Sequence, residues 1–264
     1  MLQAVHPRIH EKPVRYRLRA FALHLLGSAS ILSLTLGTLY LGWYRWPGWY
    51  LTGAPHVAGV LVLLDVVLGP TLTLLVASPK KPPRVLARDI AVIVVVQLCA
   101  LVYGAGTLWD GRPLYYAFSV DRVQLVRAAD VRASEVDLAR QKNPRFAPSW
   151  DSRPRWVWAP LPSDKEESER IVLATLTGGD DVIQMPRYFK PWEEAAPDMR
   201  KQLKKTDQLL IFKNDERRTL KSRLQALGIA PDQPVALQLE GPARSVLAVF
   251  DPHTLRVRAI LRPD

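Results

Sequence analysis

Cysteine is nearly absent from this chain of 264 residues; the single one, Cys99, lies inside an apolar run. An intrachain disulfide and any cysteine-based zinc or redox motif are therefore excluded. A soluble portion facing an oxidising compartment must then fold on its hydrophobic core alone, which about 150 residues can supply. Catalytic patterns are missing as well. There is no G-x-S-x-G, no H-E-x-x-H and no glycine-rich phosphate loop. Of the histidines, His6 and His10 stand near the N-terminus, His24 and His56 in or beside apolar runs and His253 in a turn, so none is placed to serve a nucleophile. The expectation is a protein that is not an enzyme and carries no cofactor. Charge is also lacking from three long stretches. Ala20 to Gly42 carries no charge and has His24 within it, His56 to Ala77 carries Asp65 near its middle, and Asp89 to Leu108 is uncharged after its first residue.

Those stretches hold most of the apolar content. A mean hydropathy near zero describes a soluble protein only as an average over unlike halves. At about 1.5 Å per residue each run can cross a hydrocarbon core of roughly 30 Å, so three spans are expected, over residues 20–42, 56–77 and 89–108. The first is too long for the apolar part of a cleaved signal peptide, and Pro55 follows the small residues Thr52-Gly53-Ala54, so retention is expected. The formal charge of +11 would suit a nucleic acid, but its placement does not. Arg8, Lys12, Arg15, Arg17 and Arg19 precede the first span, while Lys80, Lys81, Arg84 and Arg88 separate the second from the third. Such spacing sets topology, with the N-terminus inside and the C-terminal portion outside, and the expected partner is a lipid bilayer with no nucleic acid.

Within the spans a few residues break the apolar pattern. Asp65 sits near the middle of the second, at a cost on the order of 2.5 to 3.5 kcal/mol, and Gln97 sits at a similar depth in the third. Either the two pair with each other or they offer a polar contact to a partner's helix. Gly69-Pro70 follows one turn later. Pro70 removes a backbone hydrogen bond, so a kink and a free carbonyl near Val66 are expected, with Thr71 or Thr73 as candidates to satisfy it. Ala29, Ser33 and Gly37 recur every fourth residue, a smooth stripe for close helix packing against this chain or another. Trp43, Tyr44, Trp46, Trp49 and Tyr50 crowd the connection to the second span and suggest an aromatic belt.

From about residue 110 the pattern becomes that of a folded domain. Leu114 to Val126 predicts a strand or bent hairpin with Tyr116, Phe118 and Val120 on one face. Residues 143–162, rich in Pro and Trp, predict a loop that packs its rings on the domain's own core, on the membrane surface or on a partner, the first being the commoner use of buried Trp. Ser163-Asp164-Lys165-Glu166 opens a helix ending at Gly178-Gly179, and further helices are expected over 193–205 and 215–227. Strands are expected over 235–239, 245–250 and 255–261, the last two joined by a turn at residues 251–254. The fold class is therefore a membrane α-helical anchor of three transmembrane helices followed by an α+β domain with an antiparallel sheet.

Several signals occur together in one order: Leu64-Asp65-Val66-Val67-Leu68-Gly69-Pro70-Thr71-Leu72-Thr73-Leu74, Ser78-Pro79-Lys80-Lys81, Asp89, Gln97, Tyr103-Gly104, Arg112-Pro113-Leu114-Tyr115 and Asp121-Arg122. With the later Asp180-Asp181 and Pro186-Arg187-Tyr188-Phe189 segment, this order resembles the type IV pilin accessory proteins of the bacterial inner membrane, of the TfpX/TfpZ kind. The resemblance implies a basic cytoplasmic tail (1–19), a three-helix membrane region (20–109) and a periplasmic domain (110–264). It also implies a pilin subunit, the major pilin, as the partner to be bound and stabilised before assembly. Ala29, Ser33, Gly37, Asp65, Gly69, Pro70, Gln97, Arg187, Tyr188 and Phe189 are the candidate contacts. Two rival readings remain: a membrane-bound pilin-modifying enzyme using Asp180 and Asp181, and a structural component of the pilus assembly machine. Oligomeric state is left open.

Overall fold

The computed structural model describes residues 11–204, 214–230, 233, 235–251 and 253–262. The first ten residues of the expected basic tail, Lys205 at the end of one expected helix and Pro252 of the expected turn lie outside them. The chain divides into two compact units, residues 1–41 with 54–109, and residues 42–53 with 110–264.

The first unit holds α1 (Glu11–Leu39), which runs on through a wider turn at Tyr40–Tyr44. The short helix α2 (Gly48–Leu51) belongs to the second unit. The second apolar run is α3 (Ala54–Val62), a π-helical turn (Leu63–Leu68) and α4 (Gly69–Val76) in one continuous rod; α5 (Pro83–Asp110) forms the third. Three helical stretches are thus long and apolar enough to cross a membrane: Pro13–Tyr44, Ala54–Val76 and Pro83–Asp110. The first and third extend beyond their expected bounds at both ends, with charged residues such as Arg15, Arg17, Arg19, Arg84 and Arg88 continuing the helix on the N-terminal side, while the second is shifted to begin at Ala54 and end at Val76.

The second unit is built on a seven-stranded sheet. Its strands are β1 (Pro113–Ser119), β2 (Arg122–Arg127), β3 (Arg155–Trp158), β4 (Lys190–Pro191), β5 (Ala236–Glu240), β6 (Ser245–Phe250) and β7 (Val257–Leu261), in the order β4-β3-β1-β2-β5-β6-β7. The expectation of an antiparallel sheet is corrected: the sheet is mixed. β1 pairs in parallel with β3, and β2 in parallel with β5, while the other neighbours are antiparallel. A parallel neighbour needs a crossover, and residues 128–154, which include α6 (Ala133–Lys142), provide one between β2 and β3. The Pro-Trp stretch read as a loop therefore contains β3, and α6 went unread.

Both faces of the sheet are covered, so its central strands are nearly continuous in apolar residues. Tyr116, Phe118, Leu239, Val246, Ala248 and Phe250 face one layer, with Trp156, Trp192 and Met199 of α8 (Ala196–Gln202) packed there. Tyr115, Ala117 and Val157 face the other, against Phe146, Phe189 and Ile171 of α7 (Lys165–Leu176). A further cluster sets Leu224 of α9 (Asn214–Ala226) on Leu247 and Val249. Val120 does not continue the Tyr116 and Phe118 face. It is 70% exposed at a φ of 55°, in the turn between β1 and β2.

The aromatic stretch after α1 is used by the sheet domain. Leu51 is fully buried in its core, its carbonyl accepts from the Ala243 amide at 3.0 Å, and a Cβ on Gly241 would stand 2.5 Å from Leu51 atoms. Glycine at 241 is what allows that approach. Trp43 Nε1 donates to the Ser152 carbonyl at 2.6 Å, and the Arg262 guanidinium lies over the rings of Trp46 and Tyr50. The rings expected at a lipid headgroup belt are thus largely committed to protein contacts.

Candidate functional site

The polar residues of the three spans converge. Where Pro70 lacks an amide hydrogen, the preceding turn widens, and the Gly69 amide reaches back five residues to the Leu64 carbonyl. In that register the acceptor left without its amide is the Asp65 carbonyl, one residue earlier than an α-helical register places it. Gln97 Nε2 of α5 donates to this oxygen at 3.0 Å. Gly69 makes the approach possible, because a Cβ there would lie 2.1 Å from Gln97 Nε2. One glutamine thus repairs the backbone defect that one proline creates. Thr71 contributes locally, its hydroxyl donating to the Val67 carbonyl at 2.6 Å.

His24 of α1 joins the same cluster, and nothing in the sequence beyond its isolation in an apolar run pointed to it. Its Nε2 is 2.7 Å from Gln97 Oε1 and its Nδ1 is 2.5 Å from Thr73 Oγ1. The amide oxygen can only accept, so the Nε2–H of His24 donates to it, and the Thr73 hydroxyl is the neighbour of Nδ1. Arg17 Nε, two turns earlier on α1, donates to the Ala77 carbonyl at the end of α4 at 2.9 Å. The helices are tied at two depths by polar contacts, where lipid offers little apolar driving force.

Asp65 is the exception to this mutual satisfaction. Its side chain is 3% exposed, and Oδ1 has no hydrogen-bond partner among the described residues. Beside it a cleft of about 480 Å³ opens between α1 and α5, with Asp65, His24, Thr73 and Gln97 lining it among apolar residues. A smaller cleft of about 290 Å³ lies between the second rod and α5, with Gln97 lining it too. Of the expected small-residue stripe, Ala29 and Gly37 are half-buried and Ser33 is exposed; a Cβ on Gly37 would meet nothing within 4 Å. The stripe is separate from the Asp65 cleft.

The sheet domain buries an ion pair, in which Glu135 Oε2 and Arg187 Nε also have no hydrogen-bond partner among the described residues. Arg187 Nη1 meets Glu135 Oε1 at 2.6 Å with both side chains nearly enclosed, and burial raises the Glu135 carboxyl above its ordinary range while the guanidinium opposes that. Tyr188 hydrogen-bonds Glu167, and the Phe189 ring is buried edge-on against Tyr115 at 4.9 Å. Arg187, Tyr188 and Phe189 therefore serve the packing of their own domain. Asp180 pairs with Arg132 at 3.1 Å, and the Asp181 backbone amide donates to Gln184 Oε1 at 2.9 Å, so both acids shape the turn after α7. Among the described residues no three of His, Cys, Asp or Glu gather as metal ligands would.

No family model matches the chain, and no solved structure matches it. It is similar to three proteins of Dichelobacter nodosus. The fimbrial assembly protein of serogroup I is 25% identical over 206 residues, 77% of this chain and 78% of that protein. That of serogroups C1 and C2 is 26% identical over 117 residues, 44% of this chain and 89% of the relative. That of serogroup E1 is 24% identical over 184 residues, 69% of each.

Proposed function

We propose that this protein is an inner-membrane accessory factor of type IV pilus assembly, which binds a pilin subunit and protects it before the subunit joins the fibre. The observation that carries the reading is the Asp65 carboxyl: it is enclosed by the spans, lines an open cleft and keeps one oxygen without a hydrogen-bond partner among the described residues. A polar group held at such depth without internal satisfaction suits a site completed by another molecule in the membrane. The relatives named fimbrial assembly proteins support the process, and the pilin as partner follows from the family resemblance. Basic residues before α1 and between α4 and α5 support an N-terminus in the cytoplasm and the sheet domain in the periplasm.

On this reading the spans hold the membrane helix of the pilin, and the sheet domain guards its globular head. The test is the steady-state amount of pilin in membranes of cells lacking the protein, with pilin transcript measured alongside. The expected result is a fall in pilin at constant transcript. Normal pilin that fails to assemble would place the protein at a later step and refute the protective role.

A further inference from the structure

The cleft beside Asp65 has a shape and a chemistry that specify what enters it. On α1 it runs from Ala20 to Ile31 and on α5 from Ile90 to Leu101. Twelve residues on each wall, separated by eleven helical rises, correspond to about 16 Å, three helical turns. Its apolar walls stand open, since Leu23, Ile31 and Leu98 are all exposed beside it. At Gly27 a Cβ would meet nothing within 4 Å, so the α1 wall is low enough for another backbone to come close. The inner wall is polar where Asp65, His24, Ser28, Thr73 and Gln97 reach it, and Asp65 Oδ1 has no hydrogen-bond partner among the described residues. Gln97 Nε2 serves the Asp65 carbonyl, and Gln97 Oε1 takes the His24 Nε2 proton.

A lipid chain could fill the apolar part but could not satisfy Asp65 Oδ1. A polypeptide entering hydrocarbon must close its own backbone hydrogen bonds and so arrives as a helix. We infer that the α1–α5 cleft is the seat of one transmembrane helix of the pilin subunit, packed over Gly27, with a hydrogen-bond donor on that helix completing Asp65 Oδ1. This rests on the pilin-binding function proposed above. It places the contact at the Asp65 cleft and leaves the Ala29, Ser33 and Gly37 stripe and the smaller cleft on the far side of α5 out of it. Removing the acceptor or filling the space should each release the helix.

The test uses the full-length protein in pilin-producing cells, with a photo-crosslinking amino acid at Leu98, inside the cleft, or at Val96, which lines the smaller cleft instead. Leu98 is expected to capture pilin about fivefold more than Val96, and Asp65→Leu to lower that capture by about the same factor, the worth of one lost hydrogen bond. Gly27→Leu, whose side chain enters open space, should abolish capture while leaving the amount of this protein unchanged, which separates blocked binding from misfolding. Equal capture at the two positions overturns the inference, as does capture insensitive to both substitutions, or an adduct of two copies of this chain. If pilin still depends on the protein for its stability while Leu98 captures none, the cleft assignment fails and the protective function stands. If pilin neither depends on the protein nor crosslinks to it, both fall.

Discussion

The membrane unit and the sheet domain both bury polar atoms without hydrogen-bond partners among the described residues, Asp65 Oδ1 in the first and Glu135 Oε2 and Arg187 Nε in the second, and differ in what surrounds them. In the sheet domain Arg187 and Glu135 enclose each other, Tyr115 donates its hydroxyl to the Phe146 carbonyl at 2.5 Å, and both sheet faces are filled. In the membrane unit Gln97 and His24 are satisfied, Asp65 Oδ1 is not, and clefts flank α5. In the sheet domain the atoms without partners belong to an ion pair whose charges offset each other, whereas Asp65 lines an open cleft.

The comparison can be broken first at the buried ion pair. Arg187→Ala strands the Glu135 carboxyl and should destabilise the sheet domain by about 3 kcal/mol. The check is thermal unfolding of the full-length protein in detergent, followed by aromatic fluorescence from the domain's tryptophans. A melting temperature like that of the wild type would show that the pair is not needed, and the contrast between the units would lose its stronger arm.

Asp65→Leu should do less. It removes a carboxyl whose Oδ1 has no partner among the described residues and leaves the Gln97 bond to the residue 65 carbonyl in place, so the stability of helix packing in detergent should change by no more than about 1 kcal/mol. Resistance of the spans to proteolysis or heat-induced aggregation measures this. A clear loss of stability would mean that the carboxyl is satisfied inside the chain, and the receiving site would lose its basis.

The smallest effect is expected at the Asp251 turn. Its carboxylate accepts from the Thr254 amide and hydroxyl and from the His253 amide, at 2.8, 3.0 and 3.0 Å, which lowers its pKa below the ordinary 3.8. A depressed carboxyl stabilises the fold above its unfolded pKa and loses that contribution as pH falls through the lower folded value. Asp251→Ala should therefore melt slightly below wild type at neutral pH, with the difference closing below about pH 4. A difference that persisted at lower pH would assign the effect to packing of the turn.

Much of this was legible in the residues. Three uncharged runs specify three spans because an apolar helix of that length is stable in hydrocarbon and an interrupted one is not. The Leu114 to Val126 alternation specified the β1–β2 hairpin, and Asp164, whose side chain accepts from the Glu167 amide, marked the start of α7. Asp65 and Gln97 were found as intramembrane polar residues of similar depth. Signals of this kind are local: period, cap and charge act within one or two turns of the chain.

What the tertiary structure decided depends on segments distant in sequence. β3 was hidden because a four-residue strand among prolines carries no clear period, and it exists as a strand because β1 supplies its hydrogen bonds. The mixed order follows from where a crossover returns, which alternation does not encode. His24 entered the site only when α1 was laid against Thr73 and Gln97, and Gln97 met the Asp65 carbonyl because the turn before Pro70 widened by one residue. The sequence by itself determined which groups would be costly in the membrane. Which of them would be satisfied among the three helices was decided by how those helices pack, because a hydrogen bond depends on a few tenths of an ångström that no spacing along the chain specifies.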